Sequence, residues 1–374
     1  HCGLQYKYTS YYNFGGITLK NLKLIFQAAT VFIGTIVGAG LASGQEITQF
    51  FSTYGFSSFY GLLLCAVFYI IISSIIVSIS IKYNLNSYTD FITLVSPGFF
   101  GKITDYLTSF FLVSGAAIIL AGSGALLYQH FGIPRFVGIL LMAGIALITL
   151  LNDTKGLIAI NSIIVPSLTT IIITIFVLYL LFSKDTMSID YMKQVPVHKS
   201  LIINKQWIIS SLLYAGFNML SCSGVLVPIS KEIKNKRLII SGLTIGALVL
   251  TLLAFLINSM LMANIPEIFK YEIPLLFVAS KFTSLIQLLL LCVIWCEMFS
   301  TEVSDIYSVG KTLENKYNIP YKRGVILILL IALPISQIGF KQLITFLYPG
   351  FGIVSLIFIV QCIIFYFKMK KARR

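Results

Sequence analysis

Residues 34–46 read GTIVGAGLASGQE: four glycines, a serine and the pair Gln45–Glu46, set inside an apolar run from Leu22 to Phe51. Glycine in a helix interior costs about 1 kcal/mol relative to alanine, and a carboxylate in an apolar span costs more. A chain that places both here weakens one of its own helices. Gly38-x-Gly40 followed by Gly44 has the outline of a dinucleotide-binding loop, but that loop needs G-x-G-x-x-G between a strand and a helix. Ser43 stands at the third glycine position, and no βαβ pattern surrounds it. The nucleotide reading is poor.

The rest of the chain says what kind of helix is being interrupted. Of 374 residues, 57% are hydrophobic and only 11% charged, with a mean hydropathy of +0.93. Soluble domains carry about 25% charged residues, so this chain cannot cover a water-facing surface. Apolar runs recur along its length at the roughly 20 residues that a helix needs to cross the hydrocarbon core, whereas a transmembrane barrel would show short alternating segments. The sequence predicts an all-α integral membrane protein. Its net charge of +14 does not point to nucleic acid, because the lysines and arginines gather at span ends, as in KEIKNKR (231–237) and KMKKARR (368–374). The cysteines other than Cys2 lie in or beside spans (Cys65, Cys222, Cys292, Cys296, Cys362), form no C-x-x-C, and read as small buried apolar residues.

Between charged or Pro/Gly breaks the apolar runs define ten spans, near 22–54, 57–82, 103–128, 133–151, 156–183, 207–230, 236–262, 283–309, 322–340 and 343–367. The segment 265–281, IPEIFKYEIPLLFVASK, reads as a short surface helix. With the N-terminus inside, most of the 27 lysines and arginines fall on the inner side, which predicts that both termini are cytoplasmic. Residues 1–18, HCGLQYKYTSYYNFGGIT, resemble neither a signal peptide nor a domain. They read as translated upstream sequence: Gly15-Gly16 would be encoded by a ribosome-binding element and Leu19 by a UUG start. The alternative is a flexible tail. Residues 19–374 then form a single transmembrane domain.

Two spans look broken. The first holds the opening stretch. The sixth, WIISSLLYAGFNMLSCSGVLVPIS (207–230), carries Gly216, Asn218, Ser221, Ser223, Gly224 and Pro228 in its second half. Each opens a block of five spans, 22–183 and 207–368, and an odd number of spans inverts the second block. Paired interruptions at corresponding places in two halves point to the binding site of a secondary transporter, and non-helical backbone at mid-membrane is tolerated only where protein or a cavity satisfies it. The glycines of span 1 are therefore expected to stop and restart a helix. For span 1 alone, close packing in G-x-x-x-G spacing (Gly34/Gly38, Gly40/Gly44) explains them equally well.

GAGLASGQEITQFFSTYG (38–55), YAGFNMLSCSGVLVPIS (214–230) and EMFSTEVSDIY (297–307) resemble the first, sixth and eighth spans of the YkvI-type bacterial membrane proteins, and the resemblance runs from Leu22 essentially to the C-terminus. That family is similar to the amine–polyamine–organocation superfamily. The resemblance implies the leucine-transporter fold of two inverted five-helix repeats, and a location in the bacterial cytoplasmic membrane. It implies carbonyls of Gly34 and Val37 facing a sodium ion, with the hydroxyls of Ser300 and Thr301 on the same ion. The amides of Gly38, Ala39 and Gly40 would face a substrate carboxylate. Some proton-coupled relatives place a fifth-span lysine at the sodium position; here AINSIIVPSL (159–168) has Leu168 at the best register and no lysine nearby.

Each candidate has a plainer reading. Ser300 and Thr301 could bond back to carbonyls one turn earlier. Glu297 lies mid-span, one turn before them, where a charge costs at least about 2.5 kcal/mol and function is the default hypothesis; the alternative is a hydrogen-bonded packing residue. Glu46 is a gate or a helix-start carboxylate. Phe217, Asn218 and Ser221 are substrate contacts or helix packing, and Tyr214 is packing. Glu302 and Asp305 are expected to be solvated near the cytoplasmic end. An enzyme lacks material: His1, His130 and His198 all lie in the tail or loops, with no H-E-x-x-H or G-x-S-x-G. The prediction is a sodium-coupled symporter of a small amino-acid-like solute. The alternatives are a proton-coupled transporter using Glu297, or a sensor that keeps the fold without transport.

Overall fold

The computed structural model describes residues 19–85, 87–152, 157–183, 186–196 and 206–371. The expectation about residues 1–18 lies outside them. The order of α-helices is α1 (Leu19–Ile36), α2 (Ala39–Ser43), α3 (Gln45–Phe50), α4 (Ser57–Tyr83), α5 (Tyr88–Val95), α6 (Phe99–Phe131), α7 (Arg135–Asn152), α8 (Leu157–Phe182), α9 (Ile189–Gln194), α10 (Gln206–Ile233), α11 (Lys236–Met262), α12 (Pro274–Ser280), α13 (Ser284–Tyr317), α14 (Tyr321–Ser336) and α15 (Phe340–Lys371). Among the described residues the chain is all α. Eight helices among the described residues (α4, α6, α7, α8, α10, α11, α13 and α15) include stretches long and apolar enough to cross a membrane. They fall where spans 2–8 and 10 are expected. Span 1 is split into α1–α3, and span 9 is the 16-residue α14. The expected surface helix is two pieces, a single 3-10 turn (Glu267–Lys270) and α12.

The helices start and stop where local chemistry tells them to. Asn235 opens α11 by accepting hydrogen bonds from the Arg237 and Leu238 amides at 3.1 and 3.3 Å, which satisfies donors with no intrahelical acceptor. In the short α5, which the hydropathy pattern does not signal, Ser87 and Asp90 bond each other's backbone amides at 3.1 Å in a capping box.

Packing follows an internal pseudo-two-fold. α1 lies along α11, and α10 correspondingly along α4. α6 packs on α7 as α13 packs on α14, and the self-related pairs α4–α11 and α6–α13 meet across the axis. An inverted repeat of blocks 22–183 and 207–368 predicts these pairings. Glycines set the closest of them. A Cβ on Gly242 of α11 would stand 2.5 Å from the Ile25 carbonyl oxygen and 2.7 Å from the Ala28 Cβ of α1. Gly242→Val should therefore push α1 from α11 and lower the unfolding temperature in detergent, at a cost of about 1–3 kcal/mol; an unchanged transition would mean that this contact does not hold α1.

The expected break in span 6 is not there: α10 runs unbroken from Gln206 to Ile233. Its small and polar residues are taken up by the helix itself. Gly216 makes room for α15, with Leu356 Cδ2 3.2 Å and the Gly352 carbonyl 3.3 Å from where its Cβ would be. Ser223 and Ser230 donate back to the Leu220 and Leu226 carbonyls at 2.5 and 2.6 Å. Pro228 lies in the C-terminal part of the helix and does not end it. The same residue types mark a break in one span and close packing in the other.

Candidate functional site

Span 1 does break, and twice. The Val37 amide closes α1 on the Ile33 carbonyl at 2.8 Å. Gly38 is then extended (φ −117°, ψ −174°), and α2 restarts with the Ala42 amide on the Gly38 carbonyl at 2.9 Å. Gly38 is not needed for space, since a Cβ there meets nothing within 4 Å. A β-branched valine followed by a glycine is simply a poor place to continue a helix. The second break is at Gly44, whose left-handed φ of 78° favours glycine. A Cβ there would also lie 3.2 Å from that of Leu275 in α12. Ser43 bridges this corner: its hydroxyl donates to the Gly40 carbonyl at 2.8 Å and accepts the Gln45 amide at 3.2 Å. Helix ends leave leading amides and trailing carbonyls without intrahelical partners. The interruption at Val37–Gly38 thus sets the carbonyl end of α1 beside the amide end of α2.

Glu46, on the first turn of α3, folds back over this junction and is only 4% exposed. Its carboxyl lies against Gly40, where a Cβ would come 2.0 Å from Oε1. Tyr214 of α10 and Tyr348 of α15 present their hydroxyls to that carboxyl, yet Glu46 Oε2 and the Tyr214 hydroxyl close no hydrogen bond. Aromatic rings enclose the group: Phe50 lies 5.5 Å from Tyr214 and 5.9 Å from Phe217, and Phe217 lies 4.8 Å from Tyr348. Asn218 holds the arrangement, donating to the Tyr69 hydroxyl and to the Tyr214 carbonyl, both at 3.1 Å. A small cavity bordered by Ile36, Leu41, Tyr69 and Tyr214 adjoins the junction.

The structure thus brings Gly40, Glu46, Phe217 and Asn218 together and adds Tyr69, Tyr214 and Tyr348. Ser221 is apart from them, exposed on the other face of α10. Sequence reasoning missed Tyr69 and Tyr348 and treated Tyr214 as packing. The only available signal was a hydroxyl in each of three apolar runs.

On α13, Glu297 is 2% exposed and its Oε2 has no hydrogen-bond partner. Ser300 is buried and Thr301 partly so. Thr301 does bond back, its hydroxyl donating to the Glu297 carbonyl at 3.0 Å, which leaves oxygen lone pairs for another partner. α13 packs against both α2, which follows the break, and α8. Gly34 faces α8, with Val165 Cγ2 3.9 Å from its Cβ position. The expectation that Glu302 is solvated is wrong, whereas Asp305 is half-buried. Glu302 is fully buried with neither carboxyl oxygen partnered, and Asp305 Oδ2 lies 2.7 Å from the Cβ position of Gly115 in α6. Asp305 thus meets α6 within the pseudo-symmetric α6–α13 contact.

No protein-family model matches the chain. It is 29% identical over 333 residues to the membrane protein YkvI of Bacillus subtilis (strain 168), covering 89% of this chain and 93% of YkvI. Among solved structures, the inward-facing conformation of Mhp1 superposes with a TM-score of 0.68 at 13% identity, over 90% of this chain and 75% of that one. The manganese transporter of Eremococcus coleocola gives 0.63 at 15% identity over 96% and 81%. MhsT in complex with L-phenylalanine gives 0.62 at 13% over 91% and 87%. By their titles Mhp1 and the Eremococcus protein are transporters, and among the described residues no group of three or more His, Cys, Asp or Glu side chains is gathered to hold a metal ion. The chain is an all-α, multi-pass membrane protein related to YkvI, and its fold is that of the leucine-transporter class.

Proposed function

We propose that the protein is a secondary active transporter with ten crossings, a sodium-coupled symporter of a small amino-acid-like solute. The observation that carries this reading is the interrupted first span. At Val37–Gly38 it leaves a carbonyl end and an amide end side by side, next to a buried carboxyl and a hydroxyl-bearing helix. Paired opposite dipole ends suit an anion on one side and a cation on the other. The amides of Gly38, Ala39 and Gly40 would take the solute carboxylate, beside Phe217 and Asn218; Ser221, being apart, contributes least. The carbonyls of Gly34 and Val37 with the hydroxyls of Ser300 and Thr301 would take sodium through neutral oxygens. The solved relatives bind unlike cargoes. By their titles one is a manganese transporter, one belongs to a nucleobase–cation-symport family, and one holds L-phenylalanine. The solute class therefore rests on this site's chemistry.

Labelled amino acids offered to proteoliposomes should accumulate only under an inward sodium gradient. Binding without accumulation would replace the transporter with a sensor of the same fold. The second reading is proton coupling through Glu297, and the unpartnered Oε2 of that buried carboxyl favours it. The orientation has its own check. A phosphatase reporter that works only outside the membrane should be inactive when fused after Arg374 and active when inserted in the 184–206 loop. The reverse pattern would overturn the proposed cytoplasmic placement of both termini.

A further inference from the structure

The segments that enclose the carboxyl of Glu46 offer it no countercharge. Residues 24–81, 206–230 and 342–367, which supply Glu46 and the aromatic residues around it, contain no lysine, arginine or histidine. The ion pairs formed among the described residues, Arg135–Glu272 and Lys311–Glu314, lie at helix ends. Glu46 Oε2 and the Tyr214 hydroxyl, both enclosed, are unpartnered, and an unmet buried polar group costs its desolvation until something fills the gap. Around them stand Phe50, Tyr214, Phe217 and Tyr348, each pair in ring contact within 5.9 Å along the chain Phe50–Tyr214–Phe217–Tyr348. Aromatic faces attract organic cations, whereas a small inorganic cation needs a shell of oxygens. Gly40 places this carboxyl beside the leading amides of α2.

We infer that Glu46, with the hydroxyls of Tyr214 and Tyr348 and the faces of Phe50 and Phe217, is the recognition site for a positively charged amino group on the transported solute. This rests on the solute reading above and sharpens it. The amides of α2 and the carboxyl of Glu46 meet at Gly40, so a molecule bearing an ammonium one carbon from a carboxylate meets both. A solute with the carboxylate alone brings a second negative charge against Glu46 and is rejected.

The test uses the purified full chain in detergent and three matched panels. The amino acids are valine, leucine and phenylalanine. The amines left by removing their carboxylates are isobutylamine, isoamylamine and phenethylamine. The acids left by removing their amino groups are isovalerate, 4-methylpentanoate and 3-phenylpropionate. Amino acids and amines should raise the unfolding temperature and the acids should not. Glu46→Gln should weaken the amine response at least tenfold in apparent affinity, and Glu46→Asp should recover part of it. An acid that stabilises as well as its amino acid, or an amine response kept in Glu46→Gln, would overturn the assignment and leave the transport reading intact. Amine binding without amino-acid accumulation in proteoliposomes would overturn the transport reading and leave this site standing. Silence from every panel would overturn the site.

Discussion

Gly40→Leu should abolish solute binding, a loss of at least about 100-fold, while the protein stays folded and monodisperse. A side chain at residue 40 meets Glu46 first: its Cβ would lie 2.0, 2.4 and 2.5 Å from Oε1, Cδ and Cγ. That neighbour is the end of a flexible side chain and not backbone, so the fold yields by moving the carboxyl away. The displacement takes the charge off the pocket faced by Tyr214 and Tyr348, and the leucine covers the leading amides of α2. Hydrogen bonds to charged groups contribute about 1.5–3 kcal/mol each, so losing one at each end of the solute corresponds to two or more decades in affinity. Gly38→Ala is the matched control. A Cβ at Gly38 meets nothing within 4 Å, and its φ of −117° suits any residue, so affinity should change by less than about tenfold. Unchanged affinity in Gly40→Leu would remove the solute from the first-span break.

How far the sequence led can be judged residue by residue. Glycines at 34, 38, 40 and 44 announced the interrupted helix, and it is interrupted at 37–38 and at 44. The sequence did not distinguish their jobs: Gly44 supplies a left-handed turn, Gly40 makes room for Glu46, and Gly38 answers to neither need. The identical vocabulary misled in span 6, because whether a glycine ends a helix or admits a neighbour is decided by what lies across from it. For Gly216 that neighbour is α15, more than a hundred residues away in sequence. Burial of Glu302 was illegible for the same reason. Position along a span gives depth in the membrane, whereas cover comes from neighbouring helices that lie far away in sequence. Glu297 was legible because its depth alone makes it costly.

Glu297 decides the coupling ion, and its substitution carries the second large effect. Glu297→Gln should impair coupled uptake under either ion reading, with distinct signatures. Gly34, Val37, Ser300 and Thr301 offer a sodium ion neutral oxygens only. In a site of low effective dielectric an uncompensated ion is costly, and a carboxylate one helical turn away attracts it far more than in water. Under sodium coupling, uptake should require a sodium gradient, and Glu297→Gln should raise the sodium concentration for half-maximal uptake at least tenfold. Joint replacement Ser300→Ala and Thr301→Ala should raise it as well. Thr301 already donates its proton to the Glu297 carbonyl, so the alanine pair removes acceptor oxygens without freeing a charged group. Under proton coupling, uptake should follow a pH gradient without sodium, the alanine pair should be nearly silent, and Glu297→Gln should stop net uptake while sparing solute exchange. Glutamine keeps the size and the hydrogen-bonding capacity of the side chain, so a purely structural Glu297 would tolerate it. Normal transport by Glu297→Gln under both gradients would leave this buried carboxyl as a packing residue and move the search for the coupling charge to Glu302 and Asp305.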